Sequence, residues 1–261
     1  MRLLDLGDIA GEVVLFGGPY SNLDATRALL ARKGARSAIC TGDIVAYCGD
    51  PRGTVDVMRA SGIPIVAGNC EIQLAQNALD CGCGFEEGTA CDLLSDGWFA
   101  HASSAIDADI RDWMGTLPDL IRFTHNGLRY GVLHGGVSDV ARFLWPCSTT
   151  EAFQHEIDLL EREMGPVDAV IAGHSGIPFQ RQIGHHLWIN AGVIGMPPHD
   201  GRSETRYAVL SEDGVRFKRL SYDATAASRR MEEVGLIQGY HTSLTSGIWP
   251  SEDVLPAEMH R

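Results

Sequence analysis

The apolar residues of this chain fall in short runs, and several of these runs stop at a glycine. Glu12 to Phe16 meets Gly17-Gly18-Pro19; residues 37–42 end on Gly42, residues 63–68 on Gly68, and the run from Val167 to Ala172 stops at Gly173. Apolar runs of about four to eight residues bounded by Gly or Pro read as buried strands that stop and turn. Helical stretches separate them. Ser21 or Asn22 is placed to cap a helix reaching about Lys33, with Leu23, Leu29 and Leu30 on its buried side. A short helix over 53–60 and another from Glu71 to Leu79 complete a βαβαβ pattern, which predicts a parallel sheet with right-handed crossovers.

Residues 80–116 read as helical and irregular. Asn126-Gly127, between Leu120 to Thr124 and Leu128 to Leu133, predicts a hairpin. Thr149 to Met164 is amphipathic, with Phe153, Ile157 and Leu160 at helical spacing. A strand over 167–172 follows, then short strands near 178–183, 186–190, 205–211 and 214–221, and a closing helix from Asp223 to Val234. From about Gly239 no period is evident, so 240–261 is expected to be an irregular surface segment. With no repeat, low-complexity tract or linker, one domain over 1–261 is expected. It needs two sheets, one carrying the first strands and one built from the C-terminal meander.

Composition narrows the class. An apolar fraction of 44% and a charged fraction of 21% fit a globular chain with a sizeable core. The net charge of −13 argues against nucleic acid and anionic membrane surfaces as partners. No apolar run approaches the ~18 residues of a bilayer span. Acids at Asp5 and Asp8 interrupt the stretch a signal peptide would need, so a cytoplasmic location is expected. There most of the seven cysteines should be free thiols.

Four ligand-type residues sit where strands stop: Asp43, Asn69, His134 and His174. Strand ends converge on one edge of an open α/β sheet, the usual place for a site. A carboxylate, an amide oxygen and two imidazoles suit a borderline divalent cation, zinc, manganese or iron. Taken singly, each has a plainer reading: a turn residue, a helix cap, or edge histidines. Glu71 reads as a first-turn helix acid, and His101, His125, His185 and His186 as surface residues. Cys81 and Cys83 lack the two-residue gap of a zinc knuckle. With Cys70 and Cys91 they read as buried thiols or residues of a pocket rim.

In order along the chain, these motifs resemble the calcineurin-like metallophosphoesterase family, in its branch of small bacterial phosphodiesterase-like proteins. Gly42-Asp43 matches the Gly-Asp motif. Gly68-Asn69-Cys70-Glu71 matches Gly-Asn-His-Asp/Glu with Cys70 in place of the His. His134 in Leu133-His134-Gly135-Gly136 matches the lone His, and Gly173-His174-Ser175-Gly176 matches Gly-His-x-His with Gly176 in place of the second His. Asn190 to Gly195 looks like the Asn-Pro-Gly-Ser-Val-Gly stretch. Gly18-Pro19-Tyr20-Ser21-Asn22-Leu23 looks like the opening Asp-x-His-Gly-Asn-Leu. The resemblance spans about 12–222 and implies a four-layer α/β/β/α sandwich with two mixed β-sheets.

It also implies a chemistry with a gap in it. The family's two metals lie about 3.5–4 Å apart and share an Asp. Here one metal position keeps Asp43, Asn69, His134 and His174. The other keeps only Asp43, because Gly18, Tyr20 and Gly176 replace its remaining ligands. One divalent metal (Zn, Mn or Fe) is therefore expected, acting with Asp43, His134 and Cys70 on a small phosphorylated molecule, a mono- or diester. The helix start after Gly17-Gly18-Pro19 offers backbone amides of Gly17, Gly18, Tyr20, Ser21 and Asn22 as the phosphate cradle. The alternative is a non-catalytic member that binds a phosphorylated ligand or acts through Cys70.

Overall fold

The computed structural model describes residues 1–261. In chain order the strands and helices are β1 (Leu3–Asp8), β2 (Val13–Phe16), α1 (Leu23–Lys33), β3 (Ser37–Cys40), α2 (Pro51–Ser61), α3 (Asn69–Ala75), α4 (Ala90–Ala105), α5 (Ala108–Met114), β4 (Leu120–His125), β5 (Leu128–Val132), α6 (Thr150–Met164), β6 (Ala169–Ala172), β7 (Phe179–Ile183), β8 (His186–Asn190), β9 (Thr205–Ser211), β10 (Gly214–Leu220), α7 (Ala224–Glu233) and α8 (Tyr240–Ser246). They build two mixed sheets, one of six strands ordered β1-β4-β5-β6-β8-β7 and one of four ordered β10-β9-β2-β3.

The glycine-bounded apolar runs are buried on both faces because each sheet is covered twice. In β2, Val13 and Leu15 face the other sheet and meet Ile121, Val132, Ile171 and Ile189. Val14 and Phe16 face the opposite way, onto helices that supply Leu29, Val55, Met58 and Trp98. Beyond the six-stranded sheet, Val170 and Trp188 pack on Phe153, Ile157 and Leu160 of α6. The result is the four-layer α/β/β/α sandwich. No helix is long and apolar enough to cross a membrane.

Several expectations change. Residues 63–68 form no strand; a single bridge joins Ile65 to Cys40. Pro64 has no N–H to donate, and the chain turns into α3 at Asn69. β9 and β10 join the sheet of the first strands, with β9 antiparallel to β2. The second sheet is instead assembled from β1, the β4–β5 hairpin and β6 to β8. β1 was not foreseen, since an exposed edge strand carries no alternating pattern. Its acids are occupied: Arg122 donates to Asp5 at 2.8 Å and Thr124 to Asp8 at 2.8 Å. α8 lies inside the segment expected to be irregular. His125 and His186 are buried, the first bonded to the Gly11 carbonyl at 2.8 Å, the second 3.3 Å from Glu161.

Candidate metal centre

Three strands deliver the site at their C-terminal ends. β3 runs into Thr41-Gly42-Asp43, β5 ends one residue before Leu133-His134, and β6 runs into Gly173-His174. Asn69 opens α3 directly behind Gly68. Asp43 and His174 both occupy the left-handed region, at φ +57° and +59°. That conformation turns each side chain back over its own strand end and is costly for a non-glycine residue. Gly42 has no substitute here: a Cβ would lie 2.7 Å from the Gly68 amide nitrogen and 2.9 Å from His134 Nδ1.

All four side chains are buried and converge on His134 Nε2. His174 Nδ1 stands 3.0 Å from it, Asn69 Oδ1 3.1 Å and Asp43 Oδ2 3.3 Å. The donor atoms of Asp43, His134 and His174 all lie within 4.8 Å of one another. The hydrogen bonds fix which atoms face inward. His134 Nδ1–H donates to the Thr41 carbonyl at 2.6 Å, so in the neutral ring Nε2 presents a lone pair. Asn69 Nδ2 donates to the Cys81 carbonyl at 2.9 Å, so Oδ1 is the atom that points at the histidine. Asn190 holds the His174 turn, donating to the Gly173 carbonyl at 2.6 Å and to Ser175 Oγ at 2.8 Å.

Four polar atoms thus crowd one buried space, and the other ring nitrogen of His174, Nε2, is buried without a hydrogen-bond partner. Burial opposes charge on His134, yet the Asp43 carboxylate beside it holds its pKa above the ordinary imidazole value. Burial and then the neighbouring His134 push His174 down to about 3, so that ring is neutral. Burial would raise Asp43, but His134 outweighs it and keeps the carboxyl low. Two imidazole nitrogens, a carboxylate and an amide oxygen are a donor set for a borderline divalent cation, and these residues fit one.

The neighbouring half is built differently. The ring of Tyr20 lies where a side chain at Gly18 would start: a Cβ there would stand 2.6 Å from Tyr20 Cζ and 2.7 Å from Val193 Cγ1. Tyr20 is buried, and burial followed by the Asp43 charge drives its phenol well above the ordinary value, so it stays neutral. Gly176 supplies no donor. Tyr20, Tyr47, Phe143, His174 and Phe85 wall the cavity beside the candidate centre, and no Lys or Arg lines it.

Two expectations for the site do not hold. The amides of residues 17–22 are consumed within the fold. Gly17 donates to the Gly192 carbonyl, Gly18 to Gly42, Tyr20 to Asp43, Ser21 to Ile44 and Asn22 to Pro19. Asn22 also caps α1 with its own side chain, accepting from the Ala25 amide at 3.1 Å. These five amides are therefore not free to cradle a phosphate. Cys70 is buried, and burial with the charges of Asp43 and Glu71 pushes its thiol well above the ordinary range. That direction disfavours a thiolate at Cys70. Arg142 lies 3.6 Å from Glu156 in a salt bridge.

Sequence reasoning undervalued one residue. Glu71 is fully buried and accepts the amides of Asp43, Ile44 and Gly68 at 2.8, 2.8 and 2.9 Å. An acid three residues after Gly68 at a helix start was the available signal for that anchor.

Residues 13–214 match the family model of the calcineurin-like phosphoesterase superfamily domain, and the chain belongs to that superfamily. An uncharacterized protein of Methanocaldococcus jannaschii is 24% identical over 246 residues, 85% of this chain and 93% of that protein. Among solved structures, a metallophosphoesterase from Sphaerobacter thermophilus aligns with a TM-score of 0.71 at 20% identity, over 92% of this chain and 100% of the other. A hypothetical protein from Pyrococcus horikoshii OT3 aligns with a TM-score of 0.72 at 14% identity, over 92% and 99%. At these identities the likeness shows the fold.

Proposed function

We propose that this chain is a metal-dependent phosphoesterase-like hydrolase that holds one divalent cation rather than two and acts on a phosphate mono- or diester with altered or reduced activity. The observation that carries this reading is the convergence of His174 Nδ1, Asn69 Oδ1 and Asp43 Oδ2 on His134 Nε2. Asp43, Asn69, His134 and His174 hold the ion. Bound there, a zinc, manganese or iron ion supplies a Lewis acid for the phosphoryl oxygen and lowers the pKa of water.

The chain's own residues do the rest. The Thr41 carbonyl holds the proton of His134 at Nδ1 and keeps Nε2 turned inward. The Cys81 carbonyl keeps Asn69 from flipping its amide. Tyr20, Tyr47 and Phe143 limit water beside the ligands and present an apolar wall to the organic part of a substrate. The single-ion reading is supported by Tyr20 and Val193 crowding the position at Gly18, and by the lack of a donor at Gly176.

A second reading is favoured by one observation: neither a free amide in 17–22 nor a Lys or Arg in the cavity wall is left to neutralise a phosphate. On it the protein binds a phosphorylated ligand through the ion and does not turn it over.

Metal analysis and turnover separate these readings. The first expects about one equivalent of metal per chain and hydrolysis of an aryl phosphate mono- or diester, both lost in His134→Ala with the fold retained. About two equivalents would refute the single ion. Ligand binding without turnover under any metal would move the conclusion to the second reading.

A further inference from the structure

Beside the candidate centre, the loop that supplies the Cys81 carbonyl also carries two sulfur atoms. Cys81 and Cys83 are joined by a disulfide, and both are buried. The loop they close touches one metal-type ligand directly. Asn69 Nδ2 donates to the Cys81 carbonyl at 2.9 Å and lies 3.4 Å from Cys83 Sγ. Cys83, but not Cys81, shares a cavity wall with Asp43, Cys70 and His174. A sulfur thus sits against the amide that aims Asn69 Oδ1 at His134.

We propose that Cys83 is a redox-gated sulfur ligand of this centre. It is withheld while bonded to Cys81 and freed to bind the ion when the pair is reduced. The proposal rests on the reading of Asp43, Asn69, His134 and His174 as the cation site. In the reduction a dithiol passes two electrons and two protons to the pair: the S–S bond of Cys81–Cys83 breaks, an S–S bond forms in the reductant, and two protein thiols result. When the ion takes Cys83, the thiol proton leaves to water and the sulfur lone pair forms the new bond. A thiolate added to imidazole and oxygen donors moves the set toward softer metals such as zinc and iron, away from manganese. The pair then does two things in turn: oxidised, it clamps the Asn69 amide; reduced, it completes the ligand set.

Cobalt(II) substitution reads this without any assay of activity. Air-oxidised protein loaded with cobalt should show only the weak visible bands of nitrogen and oxygen coordination. A dithiol should release two thiols per chain and add an intense near-ultraviolet thiolate-to-cobalt band. Cys81→Ser should show that band with no reductant, Cys83→Ser should lack it in either state, and Cys70→Ser should behave as the wild type. Competition with a chromophoric chelator should show reduced protein holding cobalt at least about tenfold more tightly than oxidised protein. Visible bands that persist while reduction adds no charge-transfer band would overturn the sulfur ligand and leave the four-residue site standing. A band abolished by Cys70→Ser and kept in Cys83→Ser would overturn it in favour of the other thiol. Failure of wild type to bind cobalt in either state, the same as His134→Ala, would overturn the cation site and this proposal with it.

Discussion

Glu71 and Asp43 are two buried acids tied together through the backbone: Glu71 Oε2 accepts the amide hydrogen of Asp43 at 2.8 Å. The same oxygen accepts from Gly68 at 2.9 Å, and Oε1 accepts from Ile44 at 2.8 Å. One carboxylate therefore binds the turn after β3 to the start of α3, and so sets Asp43 against Asn69. Burial, then the Asp43 charge, raises Glu71 to about 7, a direction consistent with two acids confined in one small space. The amide bonds it accepts pull the other way and do not prevail.

Glu71→Gln tests this anchor. An amide offers one acceptor oxygen, and its NH2 group would face backbone donors. Leaving a buried donor unmet costs about 1–3 kcal/mol. The expected outcome is a fall of that size in unfolding free energy by denaturant titration. A loss of about tenfold or more in metal affinity by chelator competition should accompany it, since such supporting contacts commonly carry that much. An unchanged affinity would show that Asp43 keeps its left-handed turn without Glu71.

The closed half of the site gives a reciprocal prediction. Gly18→Asp places a Cβ against Tyr20 and Val193, at a backbone with φ +42°. Overpacking of this kind typically costs about 1–3 kcal/mol. Tyr20→His removes the six-membered ring from that space. The double variant Gly18→Asp/Tyr20→His should therefore be more stable than Gly18→Asp alone by thermal or chemical denaturation, and should bind more metal than wild type by elemental analysis. Additive stabilities in the double-mutant cycle would mean that the ring does not exclude the side chain.

The sequence pointed to the four residues that meet at His134 because each follows an apolar run, and a buried strand that stops at glycine leaves its next residue at the sheet edge. Asp43, His134 and His174 follow that rule. Asn69 joins them from behind Gly68, yet the run before it makes only one bridge, at Ile65, and is not the strand expected. The phosphate cradle failed on a question no local pattern answers, namely where each backbone donor goes. Gly17 and Gly18 bond to Gly192 and Gly42, both distant in sequence. β1 was illegible because its partner β4 lies more than a hundred residues away and its own side chains are exposed. The buried His125 and His186 were misread because each bonds to a partner distant in sequence, the Gly11 carbonyl and Glu161.

Acid sensitivity should come in part from Asp168, away from the site. Arg129 donates to it from its backbone at 2.8 Å and from its guanidinium at 2.9 Å through both Nε and Nη2, joining β5 to the approach of β6. The Arg129 guanidinium, then its amide, lowers the Asp168 carboxyl from 3.8 to about 2. A folded pKa below the unfolded one adds stability above 3.8, lost as pH falls through about 2. Solvent around the exposed Arg129 limits the ion pair to about 1 kcal/mol. Asp168→Asn should lower stability by about that much at pH 7, and its difference from wild type should shrink on going to pH 2. A constant difference across that range of denaturation measurements would remove the linkage.

The C-terminal segment closes the cavity by way of one histidine. His199, buried at φ +58°, accepts the Trp249 amide on Nδ1 at 2.8 Å, and its Nε2 lies 2.7 Å from Glu252. The Trp249 indole N–H donates to the Pro197 carbonyl at 2.7 Å, which lays that ring on the cavity beside Gly176 and Val193. Since Nδ1 accepts, Nε2 carries a proton and donates it to the Glu252 carboxylate. His199→Ala removes both contacts from the segment that carries Trp249. A loss of about 1 kcal/mol in local closure multiplies the open population about fivefold. Limited proteolysis should then cut within 247–255 about fivefold faster than in wild type, while the denaturation midpoint of the rest of the fold moves little. If cleavage there stays at the wild-type rate, the Trp249 ring and its bond to Pro197 hold the segment by themselves, and His199 has no part in closing the site.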